Sequence, residues 1–330
     1  MAIVIACVPL GRANAAGNDF NIQVSPSPLV VSLTPGQTQT ATLTVRNFSN
    51  HSESLNPGLK GVHTDSGTQK VSLNTVLPAD IGSWTHLAPS TLTIEPGQSK
   101  QLTVTFNTPS NVGFSYPVAV TLTSTRAESQ TSTGTAIKPQ VVVFTLININ
   151  RSDAKSGMEI TSFKSEKSRY TFLPANFSVT VKNTGNIISQ PSGTIFIQHS
   201  ASDSKPIATI PINKGGGYIL PGTSRTFTTS WKDGFPVYET GQDGKNHLKW
   251  DWKHLNELRF GHYTAKAVVI YDNGQQDVPL TATASFWVVP WLLLLGALVV
   301  IALLIMGILT WGKLVFLGTK KVRGYAHRTK

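Results

Sequence analysis

Hydrophobic and polar residues alternate one for one in several short stretches of this chain. Thr40 to Val45 reads Thr-Ala-Thr-Leu-Thr-Val, and Gln101 to Phe106, Tyr116 to Thr123 and Gln140 to Asn148 keep a similar rhythm. Further along come Asn176 to Lys182, Gly193 to Gln198, Ile207 to Ile212, Arg225 to Trp231, Tyr263 to Tyr271 and Val278 to Phe286. A period of two sends successive side chains to opposite faces, so each run predicts a half-buried β-strand. Leu33-Thr-Pro-Gly-Gln37 and Ile94-Glu-Pro-Gly-Gln98 echo one another. Both put a Pro-Gly turn ahead of a strand, as expected where a sandwich hands the chain to its second sheet. Asp272-Asn273-Gly274 predicts a hairpin with a type I′ turn, which needs positive φ at both central residues. Arg126 to Thr135 is polar and reads as an exposed hairpin or loop. The predicted architecture is all-β: two immunoglobulin-like sandwiches, residues 16–150 and 158–289, joined by a linker at 151–157.

Two apolar runs break this rhythm. Ala2 to Leu10 is followed by Ala13-Asn14-Ala15, the small-x-small pattern of a signal peptidase site, which predicts a signal peptide at 1–15. No positive n-region precedes the run, so the true start is expected upstream of Met1. Val4-Ile5-Ala6-Cys7 resembles a lipoprotein box and offers the rival reading. Trp291 to Trp311 holds 21 residues without a charge; as a helix it spans about 32 Å, the thickness of a bilayer core. Pro290 suits the first turn of that helix. Trp287 and Trp291 mark one membrane interface and Trp311 the other. The predicted span is 290–312, and the basic tail 313–330 places the C-terminus in the cytoplasm and the sandwiches outside. No GxxxG pair marks a dimerisation face.

Charge and cysteine content sharpen this picture. Of the net +11, seven charges belong to Arg12, Lys313, Lys320, Lys321, Arg323, Arg328 and Lys330, leaving +4 for the ectodomain. A nucleic-acid binder concentrates its charge on a folded face, so no nucleic-acid partner is expected. The single cysteine, Cys7, lies in the signal segment. An exported sandwich without disulfides points to a bacterial surface.

The order of these parts carries a resemblance. A signal precedes a sandwich with Leu33-Thr-Pro-Gly-Gln37 and Leu43-Thr-Val-Arg-Asn47, then a second with Phe177-Ser-Val-Thr-Val-Lys-Asn183. Leu220-Pro-Gly-Thr-Ser-Arg225, Phe260-Gly-His-Tyr-Thr-Ala265, one span and a basic tail follow. In architecture the chain resembles the WxL-interacting proteins of Gram-positive surfaces. That resemblance implies a first module associated with peptidoglycan and a second associated with the WxL domains of partner surface proteins.

Catalytic patterns are missing. The eight histidines are scattered, with no HExxH and no metal-ligand spacing, so neither metal nor cofactor is expected. No G-x-S-x-G elbow or P-loop occurs. Gly215-Gly216-Gly217 joins two strand signals and reads as a hairpin turn. Leu220-Pro-Gly-Thr-Ser224 resembles a sorting signal but is internal, and a turn before a strand explains it. Trp250 and Trp252 fall on one side of a strand-like segment, beside Lys249 and Lys253. They read either as an aromatic platform for a glycan or partner strand, or as core or interdomain packing. Trp84 reads as core. The functional expectation is a non-catalytic surface protein that binds peptidoglycan, a partner surface protein, or both. The alternative is a structural spacer or accessory subunit of an envelope enzyme or secretion complex.

Overall fold

The computed structural model describes residues 20–64, 71–74, 76–78, 80–126, 128–130, 135–200, 205–242 and 244–326. The expected signal segment, with Ala13 and Ala15, lies outside the described residues. The chain forms two compact units: residues 1–158 with 183–189 and 218–225, and residues 159–182, 190–217 and 226–330.

In the first unit the chain builds β1 (Ile22–Ser25), β2 (Leu29–Leu33), β3 (Thr38–Asn47), β4 (Glu53–Thr64), β5 (Val71–Asn74), the single-turn helix α1 (Ile81–Trp84) and β6 (Thr85–Ala88). Then come β7 (Leu92–Ile94), β8 (Ser99–Asn107), β9 (Ser115–Ser124), β10 (Glu128–Gln130), β11 (Thr135–Ile137) and β12 (Gln140–Ile149). One sheet runs β1-β3-β8-β6 and the other β2-β12-β9-β4-β5, with β7 also on β4. β10 and β11 pair antiparallel, so of the hairpin or loop expected of the polar stretch the chain takes the hairpin.

Alternation sets the inside of this unit. Leu43 and Val45 of β3 and Leu102, Val104 and Phe106 of β8 face Leu33, Leu55, Val118, Val120, Leu122 and Ile147, and none is more than 1% exposed. Removing each such side chain from water contributes about 1.5–3 kcal/mol. Trp84 joins this core, edge-on to Tyr116 at 5.5 Å. The turns Pro35-Gly36 and Pro96-Gly97 carry the chain from the β2/β7 sheet to the β3/β8 sheet, as the sequence predicted. Gln37 N–H closes the first on Thr34 at 3.2 Å and Gln98 N–H the second on Glu95 at 3.0 Å. Gly36 and Gly97 both sit at φ 74°, the positive value that the third position of a type II turn requires.

The second unit contains β13 (Met158–Ser165), β14 (Arg169–Tyr170), β15 (Ala175–Asn183), β16 (Ser192–Gln198), β17 (Ala208–Ile212) and β18 (Ser224–Trp231). They are followed by β19 (Val237–Thr240), β20 (Asn246–Lys249), a 3-10 helix (Trp252–Glu257), β21 (Gly261–Asp272), β22 (Asp277–Val288) and the long helix α2 (Trp291–Ala326). The sheets are β13-β15-β18 and β14-β22-β21-β16-β17, with β19-β20 as a separate hairpin. Phe286 centres the core: its ring meets Phe177 at 5.3 Å, Tyr170 and Tyr263 at 5.8 Å, and Trp231 at 6.2 Å. Such tilted and offset aromatic pairs add to the gain from burial alone.

Three local expectations change. Asn273 does not adopt positive φ; Gly274 does, at 90°, and the loop between paired Asp272 and Asp277 has four residues rather than two. Asn273 instead uses its side-chain oxygen to accept the N–H groups of Gln275 and Gln276, each at 2.9 Å. Gly215-Gly216-Gly217 is not a hairpin turn, because β17 and the next strand, β18, lie in different sheets. Asn213, at φ 55°, holds that crossing by bonding Gly217 through both ends of its amide. Finally, α2 does not stop with the apolar run but continues helical to Ala326. The window Trp291–Trp311 is long and apolar enough to cross a membrane and has no buried residue.

Candidate functional site

The aromatic residues singled out from the sequence meet at the junction of β20 and the 3-10 helix. β20 ends at Lys249, so Trp250 and Trp252 do not share a strand face. A turn brings them together. Asp251 adopts an extended conformation between them, and its carboxylate accepts the Lys253 backbone N–H at 3.2 Å, which starts the helix. The two indoles stack with centroids 5.8 Å apart and planes 28° off parallel. Neither is core: Trp250 is 42% exposed and Trp252 68%.

Residues remote in sequence supply the floor. Phe235 contacts Trp250 at 5.7 Å and Trp252 at 5.3 Å, and Phe172 meets Trp250 at 6.5 Å and Tyr238 at 6.1 Å. Phe172 and Phe235 are themselves buried, so the platform has a fixed base. Leu255, Leu258 and Phe260, which follow closely in the chain, are also exposed. The sequence reading missed these residues. Leu255 and Leu258 follow Trp252 at intervals of three, a spacing of short 3-10 turns that neither an alternating nor a 3.6-residue pattern detects, and Phe172 and Phe235 carried no local signal.

Charges ring the platform. Lys249 bonds Glu239 across the hairpin at 3.0 Å. Lys253 has its backbone N–H in the Asp251 cap and its side chain exposed. His254 lies 3.0 Å from Glu257, and that hydrogen bond, with the attraction of the same carboxylate, holds its pKa above the ordinary histidine value. Arg259 donates to the Asp233 carbonyl at 2.9 Å and lies 5.5 Å from the centre of the Trp231 ring.

Pairing fixes where this surface sits. Gly261, directly after Phe260, is paired with Val288, and His262 with Trp287. β14 runs parallel to β22 and covers only Trp287 and Val288. Among the described residues, the outer edge of β22 from Asp277 to Ser285 therefore has no partner strand. Trp287 is 47% exposed, with its ring 5.0 Å from His262; Trp291 and Trp311 are exposed at the two ends of the apolar window. Among the described residues, no three His, Cys, Asp or Glu side chains gather as metal ligands. What the arrangement offers is contact: a rigid apolar face with a mixed-charge rim, and an open strand edge.

Residues 31–160 match the family model described as an Fn3-like domain. No curated protein matches the chain in sequence. Among solved structures, the class 5 fimbriae chaperone CfaA is similar at 10% identity, with 79% of this chain and 98% of that chain covered and a TM-score of 0.41. The E. coli chaperone DraB shows 12% identity, coverage of 80% and 96%, and a TM-score of 0.36. A Salmonella enterica SafA pilin–SafB chaperone complex gives the same 12%, 80% and 96%, again at 0.36. With an Fn3-like match over 31–160 and paired sheets in both units, the chain is an all-β protein of immunoglobulin-like sandwiches with one C-terminal apolar helix.

Proposed function

We propose that this chain is a non-catalytic, membrane-anchored surface protein that holds a cell-wall polymer, a partner surface protein, or both close to the bilayer. The carrying observation is the passage from β22 to α2: only Val289 and Pro290 separate the last strand of the sandwich from the apolar window. At most about 3.6 Å per residue, that gap keeps the end of the sandwich against the lipid. In this reading residues 1–15 are a signal, 16–150 and 158–289 are the two sandwich domains, 290–312 cross the membrane, and the tail 313–330 is cytoplasmic. The resemblance to WxL-interacting proteins supports peptidoglycan as ligand of the first domain and a surface protein as ligand of the second. For the protein partner, the open edge of β22 supplies unpaired N–H and C=O groups that an added strand can satisfy.

The test uses the full-length protein in nanodiscs. It should co-sediment with purified peptidoglycan sacculi, or retain a defined surface protein from wall-stripped cells. Protease added to intact protoplasts should remove the sandwiches and leave a small membrane fragment. Retention of neither ligand would favour the alternative, a spacer or accessory subunit. An externally accessible epitope after Lys330 would overturn the orientation.

A further inference from the structure

The face made by Trp250, Trp252, Leu255, Leu258 and Phe260 is between 42% and 68% exposed at each position. Large apolar side chains left exposed this close together in the chain point to an interaction site. Two separate chain routes bring it to the end of the sheet from which α2 departs. In the first, Phe260 immediately precedes Gly261, which pairs with Val288. In the second, Tyr170 pairs in parallel with the same Val288, and Phe172, two residues on, carries Trp250 on its ring. Val288 itself is three residues from Trp291.

The composition of the face separates the candidate occupants. Trp252, Leu255 and Leu258 recur at every third residue along two short 3-10 turns that meet at a kink at His254, and all three side chains are exposed. Between these apolar residues lie Lys253, His254, Asn256 and Glu257. Indole rings and leucines bordered by cations suit the headgroup boundary of a bilayer, and the carboxylate of Glu257 at that border is held by His254 at 3.0 Å. Trp287 and Trp291 extend the same aromatic level around the helix start.

We propose that this face lies in the headgroup region of the bilayer that α2 crosses, so the second unit is docked on the lipid surface as well as tethered to it. The proposal rests on Trp291–Trp311 being a membrane span. Docking would add a second point of attachment to the short junction at Val289 and Pro290, leaving the open β22 edge facing sideways to a partner.

Spin labels on single cysteines in a Cys7→Ser background of the full-length protein, in nanodiscs, test this. Leu255→Cys and Phe260→Cys are the probes. Ile301→Cys marks the bilayer, and Gln275→Cys marks water at the far end of β21, about 36 Å up a strand of this length. Expected is a nickel-chelate accessibility at 255 and 260 well below that at 275, with oxygen accessibility moving towards that at 301. Labels at both probes matching 275 while 301 remains in lipid would overturn the docking and leave the anchor intact. A water-exposed label at 301 would overturn the anchor itself. Probes that become protected only when wall-stripped surface extract is added would assign the face to a protein and also overturn the proposal.

Discussion

Asn47, the last residue of β3, donates its side-chain amide to the backbone carbonyl of Ile94 at 2.9 Å, at a site with no solvent exposure. The same nitrogen reaches the His51 carbonyl at 2.8 Å, and its oxygen accepts the Ser49 backbone N–H at 2.8 Å. Its backbone closes on the Pro96-Gly97 turn, with Asn47 N–H to Gln98 at 3.0 Å and Gly97 N–H to Asn47 at 2.8 Å. Asn183 repeats every one of these relationships. Its amide donates to Ile187 at 2.8 Å and Ile219 at 2.9 Å, and its oxygen accepts from Gly185. Its backbone closes on the Pro221-Gly222 turn through Thr223 and Gly222. The internal echo therefore runs from Ile94-Glu-Pro-Gly97 to Ile219-Leu-Pro-Gly222, each clamped by the asparagine that ends a core strand.

Removing this clamp should be costly. Asn47→Ala leaves two carbonyls without their donor, each worth about 1–3 kcal/mol if it stays buried. Asn47→Asp should be worse at neutral pH, since it aims a carboxylate at two carbonyls, and should recover in part on acidification. Urea unfolding of both variants checks this; a midpoint equal to the parent's would show the clamp to be redundant.

Two glycines should respond differently to alanine. Gly222 sits at φ 72° with open space around an added Cβ, so Gly222→Ala carries only the backbone penalty, about 1–2 kcal/mol. At Gly193 an added Cβ would lie 2.5 Å from the Val268 carbonyl oxygen on the paired strand, so β16 and β21 would have to part. Thermal unfolding should rank Gly193→Ala as the more destabilised, and the reverse order would contradict the register.

Tryptophans of similar sequence context should split by burial. Trp231 is 1% exposed and packs against Tyr263 at 5.1 Å, so Trp231→Ala should cost about 3–5 kcal/mol. Trp252→Ala, at an exposed position, should stay within about 0.5 kcal/mol. Trp250→Ala paired with Trp252→Ala should leave a cooperative thermal unfolding transition near the parent's midpoint, because the Phe286 core does not include either ring. Loss of the cooperative transition would assign the pair a structural role.

His254 should titrate above the usual histidine range because Glu257 holds its proton, with smaller help from Asp251 and opposition from Lys249. A raised pKa means that the pairing is complete below the ordinary value of about 6.5 and disappears as pH rises through the higher folded value. Glu257→Gln should bring the His254 midpoint down, and Asp251→Asn should move it less. Histidine ring chemical shifts across a pH series give the answer; a midpoint unmoved by Glu257→Gln would rule out the carboxylate as cause.

Where one physical demand acts on consecutive residues, the sequence alone determined the outcome. Leu43, Val45 and Asn47 alternate with Thr42, Thr44 and Arg46 because a sheet with one face in the core buries every second residue. Phe177, Val179 and Val181 follow for the same reason. The apolar helix over Trp291 to Trp311 was legible because 21 consecutive residues without a charge give a helix long and apolar enough to cross a membrane. The tertiary structure decided the rest. Whether Asn273-Gly274 made a two-residue turn depended on the pairing of Asp272 with Asp277, a property of two whole strands and not of the dipeptide. The aromatic platform is the clearest instance. Trp250 and Trp252 are neighbours in the chain, but their support comes from Phe172 and Phe235, and their position at the helix end of the sheet comes from the pairings of Val288 with Gly261 and Tyr170. Strand pairing brings together residues that sequence distance separates, and no local pattern records which strands will pair.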